Sequence, residues 1–73
     1  MAEIEIKSEI AGKVWMIEAG PGTEVEEDDA VIILESMKME IPVGAPADGK
    51  ITEILVEKDE AVAEGQTVAK MEA

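Results

Sequence analysis

The amino-acid sequence predicts an all-β fold, a small sandwich or flattened barrel of short strands. Its runs of Val and Ile are short and closely spaced, and segments rich in Gly, Pro and Asp separate them. No window holds an apolar period of 3.6 residues over three helical turns, so helices are not expected. The two halves of the chain also resemble each other, which indicates two similar β-halves.

The first predicted strand is Glu3–Lys7, where Ile and charged residues alternate strictly, as they do in a half-buried strand. Further strands are predicted where Val and Ile cluster, at 14–17, 31–34 and 51–56. Turn signals separate these strands at Gly20-Pro21-Gly22, 44–49 and Gly65. Because one strand ends at Leu34 and another begins near Ile41, residues 35–41 are predicted to form a hairpin.

A shift of 37 residues aligns 12–35 with 49–72 without a gap. The identical pairs are Gly12/Gly49, Lys13/Lys50, Ile17/Ile54, Val25/Val62, Glu27/Glu64, Val31/Val68 and Glu35/Glu72. These are seven identities in 24 pairs, where this composition alone gives roughly two or three. We interpret the segments as two half-repeats packed face to face about a pseudo-twofold axis. The alternative is a chance similarity within a glutamate-rich chain.

Composition excludes many kinds of function. A chain of 73 residues supports one domain, which we place at 1–73, with one small core. Without Cys or His it lacks the residues of Ser-His and Cys-His nucleophiles and of imidazole or thiolate zinc sites. A net charge of −12 opposes binding to nucleic acid and to anionic membranes. We therefore expect a protein that is not an enzyme by itself.

The sequence also bears on location and metal binding. The first ten residues contain three Glu and no basic start, so they are not predicted to be a signal peptide. The longest apolar run, 30–34, is far shorter than the roughly 20 residues that a membrane helix needs. We therefore expect a cytoplasmic protein. The acidic segment 24–29 lacks the glycine and the ligand spacing of an EF-hand, so we interpret it as a solvated turn and expect no metal site.

The predicted hairpin has an unusual turn. Met37-Lys38 would lie at its tip, where propensity favours Asn-Gly or Asp-Gly. A local rule that is broken at an otherwise regular position often indicates function. Lys38 would be exposed between two thioethers, which offer adaptable contacts to a partner. In the alternative interpretation both Met side chains fold back onto the sandwich and Lys38 is an ordinary solvated charge.

Residues 35–40, Glu-Ser-Met-Lys-Met-Glu, resemble the attachment motif of biotinyl domains, in which a Met-Lys-Met centre presents the lysine that is biotinylated. The resemblance covers nearly the whole chain. It includes Gly12, Val14, Trp15 and Ile17 in the first half, the run 31–34 that leads into the motif, and 48–51 that opens the second half. Lys38 also lies 35 residues from the C-terminus, as the lysine of the family does.

The resemblance implies a flattened β-barrel of two four-stranded antiparallel sheets, the barrel-sandwich hybrid, with Lys38 on a tight hairpin. A biotin–protein ligase would join biotin to Lys38 as an amide. The residues expected to form the hairpin and to be recognised by the ligase are Glu35, Ser36, Met37, Met39 and Glu40. The domain would be a non-catalytic carrier, monomeric when isolated, that moves a carboxyl group from a biotin carboxylase site to a carboxyltransferase site.

Two other functions stay open. Lipoyl domains are similar in fold and also present a hairpin lysine, typically with Asp before it and Ala or Val after it. Methionine on both sides of Lys38 favours biotin, but Glu35-Ser36 also precedes the lysine of many lipoyl domains. Lipoylation by a lipoyl ligase is therefore a second hypothesis. The third is an unmodified interaction module, since transporter adaptor proteins have the same hybrid barrel but lack the Met-Lys-Met hairpin.

The sequence departs from the family pattern at two turns. Asp28 and Asp59 stand where members usually have glycine, which predicts slight strain. The ungapped repeat leaves no room for the inserted thumb loop of some acetyl-CoA carboxylase carriers, so a thumbless type is expected. The chain from Met1 to Ala73 is expected to be either a free-standing biotin/lipoyl attachment protein or a piece of a longer carboxylase.

Overall fold

The computed structural model describes residues 2–73, which form eight β-strands. They are β1 (Glu3–Lys7), β2 (Gly12–Ile17), β3 (Glu24–Val25), β4 (Ala30–Ser36), β5 (Met39–Gly44), β6 (Gly49–Ile54), β7 (Ala61–Val62) and β8 (Thr67–Glu72). Every strand predicted from the Val and Ile runs is present, although the one expected at 51–56 begins and ends two residues earlier. Over residues 2–73 no helix is long and apolar enough to span a bilayer.

The strands form two antiparallel sheets of four strands, with the order β1-β8-β6-β3 in the first sheet and β5-β4-β2-β7 in the second sheet. The predicted fold class is thereby confirmed. The prediction that the two halves pack face to face is wrong, because each sheet takes two strands from β1–β4 and two from β5–β8. The reason is backbone pairing: β1 and β3 find their partners only in β8 and β6 of the other half.

The internal repeat is present in the backbone at the offset of 37 residues. β1 to β4 correspond to β5 to β8, and β2 and β6 have the same pattern of buried and exposed residues. Hydrogen bonds repeat as well. The N–H of Gly22 donates to the carbonyl of Ile51 and the N–H of Asp59 donates to the carbonyl of Val14, both at 2.7 Å. Chance similarity of composition does not produce matched hydrogen bonds, so the predicted pseudo-twofold repeat is confirmed.

Left-handed turns follow the same repeat. Gly22, with a φ of 90°, corresponds to Asp59 at 72°, and Asp28 at 73° corresponds to Gly65 at 81°. In each equivalent pair one residue is glycine, which adopts positive φ freely. The other is aspartate, for which this conformation costs about 1 kcal/mol. The strain predicted at Asp28 and Asp59 thus has a backbone cause. The matched turns also leave no inserted loop within either described half.

One core lies between the two sheets. Buried apolar residues include Val14, Ile32, Leu34, Ile51 and Met71, each with none of its surface exposed. The body measures 36 Å along its long axis and 17 Å in the other two directions. The β4–β5 turn lies at one end of this body. Ala2 and Ala73 exchange two backbone hydrogen bonds of 3.1 Å, at the positions that correspond to Met39 and Ser36.

We expect the substitution Gly49→Ala to lower the free energy of unfolding by about 3 kcal/mol, because overpacking distorts the backbone. A Cβ at Gly49 would collide with the carbonyl oxygen of Glu72, which belongs to the paired strand β8. Urea denaturation measures the change. Gly20→Ala is the control, since nothing lies within 4 Å of its added methyl group. A loss of equal size in both variants would contradict the steric explanation.

Candidate functional site

The turn between β4 and β5 consists of two residues, Met37 and Lys38. Ser36 and Met39 form the strand pair that closes it. The φ angles are 53° at Met37 and 64° at Lys38, and a type I′ hairpin turn requires positive φ at both central residues. Neither residue is glycine, asparagine or aspartate, so each adopts this conformation at a cost of about 1 kcal/mol. The turn that propensity disfavours is therefore formed by left-handed backbone.

The strands on either side hold the turn in this conformation. β4 lies inside its sheet between β2 and β5, and Leu34 is completely buried opposite Ile41. Gly12 lets β2 approach the base of the hairpin, since a Cβ there would lie 2.9 Å from the carbonyl oxygen of Glu35. Sequence reasoning assigned no such role to Gly12. The signal that could have found it is the identity of Gly12 and Gly49 in the repeat.

Lys38 is exposed at the tip of the hairpin. Within the part of the chain that the structure describes, no side-chain hydrogen bond involves its ammonium group, and the ion pair found there joins Lys70 to Glu3. A primary amine in this position can be reached from several directions. Its surroundings fit a group that is acylated by another protein better than one that acts as a nucleophile in its own pocket.

The flanking methionines are exposed as well. Met37 has 92% of its surface exposed and Met39 has 62%. The alternative in which both thioethers fold back onto the sheets therefore does not describe this structure. Exposed methionines contribute little to the core, but they are flexible and polarisable and pack against varied partner surfaces.

The remaining predicted residues form the base of the hairpin. Glu35 and Glu40 are exposed and pair directly across β4 and β5, which places two like charges opposite each other. Lys13 of β2 stands on the other side of Glu35 and offsets part of this repulsion. Ser36 is half-buried next to the turn. The described residues contain no cluster of three or more His, Cys, Asp or Glu that could hold a metal ion.

Comparison with known proteins identifies the family to which this hairpin belongs. The sequence profile of the biotin/lipoyl family, described as "Biotin-requiring enzyme", matches residues 6–71. The chain belongs to the biotin/lipoyl attachment family. The match includes the whole hairpin, the first half-repeat and all but the last residue of the second.

Individual relatives agree with this assignment. The biotin/lipoyl attachment protein of Bacillus subtilis is 33% identical over 66 residues, which are 90% of each chain. The urea carboxylase of Kluyveromyces lactis contains a similar fold, with a TM-score of 0.93 and 38% identity over 99% of this chain and 6% of that one. The lipoyl domain of the 2-oxoglutarate dehydrogenase complex from Azotobacter vinelandii has a TM-score of 0.70 and 30% identity, covering 86% of this chain and 80% of that one.

The left-handed turn predicts a gain in stability for Met37→Asn. Asparagine tolerates positive φ better than methionine, so we expect the free energy of unfolding to rise by about 0.5–1 kcal/mol. Urea denaturation measures the difference. Met39→Asn is the matched control, because this residue lies within β5 and has no positive φ. A gain of the same size in the control would show that removing an exposed methionine, rather than relieving the turn, is responsible.

Proposed function

We propose that the protein is a biotin carrier in which the Lys38 ε-amine holds biotin as an amide. The observation that supports this most strongly is the exposed amine of Lys38 on a two-residue turn at one end of an ordered body. The membership of the chain in the biotin/lipoyl family gives that amine a chemical partner. The domain does not itself catalyse the attachment or the carboxyl transfer.

Attachment requires a neutral amine and an activated carboxyl group. The Lys38 ammonium loses a proton, its nitrogen forms a bond to the carboxyl carbon of an activated biotin, and the activating group leaves with the bonding electrons. The product is a neutral amide, so the loss of one positive charge takes the net charge from −12 to −13. The hairpin supplies the amine and its position. A biotin–protein ligase supplies the activated donor and the acceptor for the proton.

A carrier needs a swinging arm, here the Lys38 side chain with its attached biotin, that is fixed at one end and mobile at the other. Biotin supplies the ring that takes up and releases a carboxyl group. The two-residue turn fixes the backbone of Lys38, while its exposed side chain retains its rotational freedom. A tethered cargo reaches a high effective concentration at nearby sites. We propose that these sites belong to a biotin carboxylase and a carboxyltransferase, which the likeness to urea carboxylase supports.

We propose that the ligase recognises the hairpin through the residues around the amine. Met37 and Met39 offer exposed apolar contacts on either side of Lys38. Glu35 and Glu40 offer charges at the base of the hairpin, and Ser36 contributes to its shape. The large negative charge opposes association of two copies, which supports a monomer. We also propose a cytoplasmic location, which a sequence without cysteine supports.

Lipoate is the second candidate for the same amine. The similarity to the Azotobacter vinelandii lipoyl domain extends over most of both chains. Methionine on both sides of Lys38 favours biotin, and so does the higher TM-score against urea carboxylase. The two cofactors form the same bond to Lys38, so the choice between them depends on which ligase accepts the hairpin.

The attachment site is tested by Lys38→Arg. We expect this variant to lose all cofactor attachment, because a guanidinium does not form the amide, while its stability changes by less than about 0.5 kcal/mol. Intact-mass spectrometry of protein from its native cells reads the increment and distinguishes biotin from lipoate. Lys58→Arg is the control, since Lys58 is also exposed in a turn. Retention of the increment in Lys38→Arg, or its loss in the control, would contradict the assignment.

The flanking methionines are tested by the double variant Met37→Asp, Met39→Ala. We expect the ratio of lipoyl to biotinyl product to rise about tenfold, because the ligases discriminate through a few side chains next to the amine. Both ligases are offered the same protein in competition, and the products are counted by mass. The matched control is the double variant Leu55→Asp, Thr52→Ala, which makes the same charge change of −1 at exposed positions in and just after β6, away from the hairpin. An unchanged ratio would show that the two methionines do not determine which ligase modifies Lys38.

A further inference from the structure

The internal repeat allows the outer faces of the two sheets to be compared at equivalent positions. In the second sheet Met16 pairs with Ile33, and Ile33 pairs with Pro42. The residues that alternate with them, such as Val14 and Leu34, are buried, so this row faces away from the core. Met16 has 39% of its surface exposed, Pro42 is exposed and Ile33 is half-buried.

The equivalent row of the first sheet is charged. At an offset of 37 residues, Met16, Ile33 and Pro42 correspond to Glu53, Lys70 and Glu5. These residues also pair directly, Glu53 with Lys70 and Lys70 with Glu5. The same position in the fold therefore accepts charged side chains. Apolar side chains on the second sheet are not required by the backbone.

Trp15 extends the apolar row. Trp15 is the extra residue at the register shift in β2 between Val14 and Met16, and it has 37% of its surface exposed. Its counterpart in the first sheet is Thr52. We call Trp15, Met16, Ile33 and Pro42 the outer apolar row. Four neighbouring apolar residues on an exposed sheet face favour contact with another molecule.

We propose that the outer apolar row is the docking surface for the biotin carboxylase that acts on the Lys38 arm, a proposal that rests on the proposed function. The row is continuous with the hairpin, because β4 and β5 carry both. Ile33 lies three residues before Ser36, which places the row about 10 Å from the turn along the strand. A partner that covers the row would therefore also surround the base of the arm.

Charge determines the chemistry of this partner. Glu35 and Glu40 border the row on the hairpin side, where Lys13 pairs with Glu35, and Glu18 follows β2 at its other end, so the border carries a net negative charge. A partner surface with an apolar centre bordered by Lys or Arg complements this arrangement. A second copy of the chain would bring another charge of −12 against these carboxylates, so self-association is disfavoured.

The test copies the charged row onto the second sheet in the triple variant Met16→Glu, Ile33→Lys, Pro42→Glu. Thr52→Glu is the matched control, because it changes the net charge by the same −1 on the opposite sheet. Both are biotinylated, checked by intact mass, and given as substrates to the biotin carboxylase of the same organism. We expect the triple variant to raise KM for the carrier about tenfold with kcat unchanged, and the control to leave both unchanged. Free biotin, which has no docking surface, is the reference substrate that gives the carboxylation rate of the enzyme without docking.

The outcomes separate the proposal from the function on which it rests. An unchanged KM in the triple variant, or an equal rise in the Thr52→Glu control, would overturn the docking surface. A wild-type dimer in sedimentation that the triple variant converts to monomer would assign the row to a second copy instead. Absence of a biotin increment on the wild-type protein would overturn the proposed function before docking is measured. Should the triple variant fail to fold, Met16→Glu alone is expected to raise KM about threefold.

Discussion

Backbone pairing between the two halves is the constraint on which the rest of the structure depends. β1 and β3 have partners only in the second half, and β5 and β7 have partners only in the first. β3 and β7 contain two residues each and have no stability of their own. Neither half can therefore complete a sheet or cover its apolar side alone. The core forms when both halves are present, which makes the domain a single cooperative unit.

This interlocked body explains why a strained turn is tolerated. β4 is hydrogen-bonded on both sides, and its residues Ile32 and Leu34 are completely buried. The strands that enter the turn are thus fixed by the core, and the conformation of Met37 and Lys38 follows from them. Left-handed backbone at both residues turns their side chains away from the sheets. The exposed amine is a consequence of the same pairing that holds the core together.

Much of the fold could be predicted from local patterns. Alternation at Glu3–Lys7 and the Val and Ile runs identify strands because side chains there must face the core on alternate positions. Local patterns do not show which strands pair with each other, so they do not predict that each sheet combines strands from both halves. Lys70 interrupts the apolar sequence of β8, so this strand is predicted less clearly than those with unbroken Val and Ile runs. The Met-Lys-Met motif predicts Lys38 as the attachment site and the repeat indicates Gly12, whereas the outer apolar row becomes visible only when the sheet register is known.

The pseudo-twofold repeat also separates what the fold requires from what it permits. At the left-handed turns glycine and aspartate exchange places between the halves while the backbone conformation stays the same. Side chains there vary without consequence for the path of the chain. At the positions equivalent to Met39 and Ser36, which flank the hairpin turn, Ala2 and Ala73 are joined by two backbone hydrogen bonds. The outer row has a counterpart of opposite chemistry in Glu53 and Lys70. Folding alone accounts for neither the hairpin nor the outer apolar row. Both features lie on β4, β5 and the neighbouring strand β2, the surface that a partner acting on Lys38 would contact.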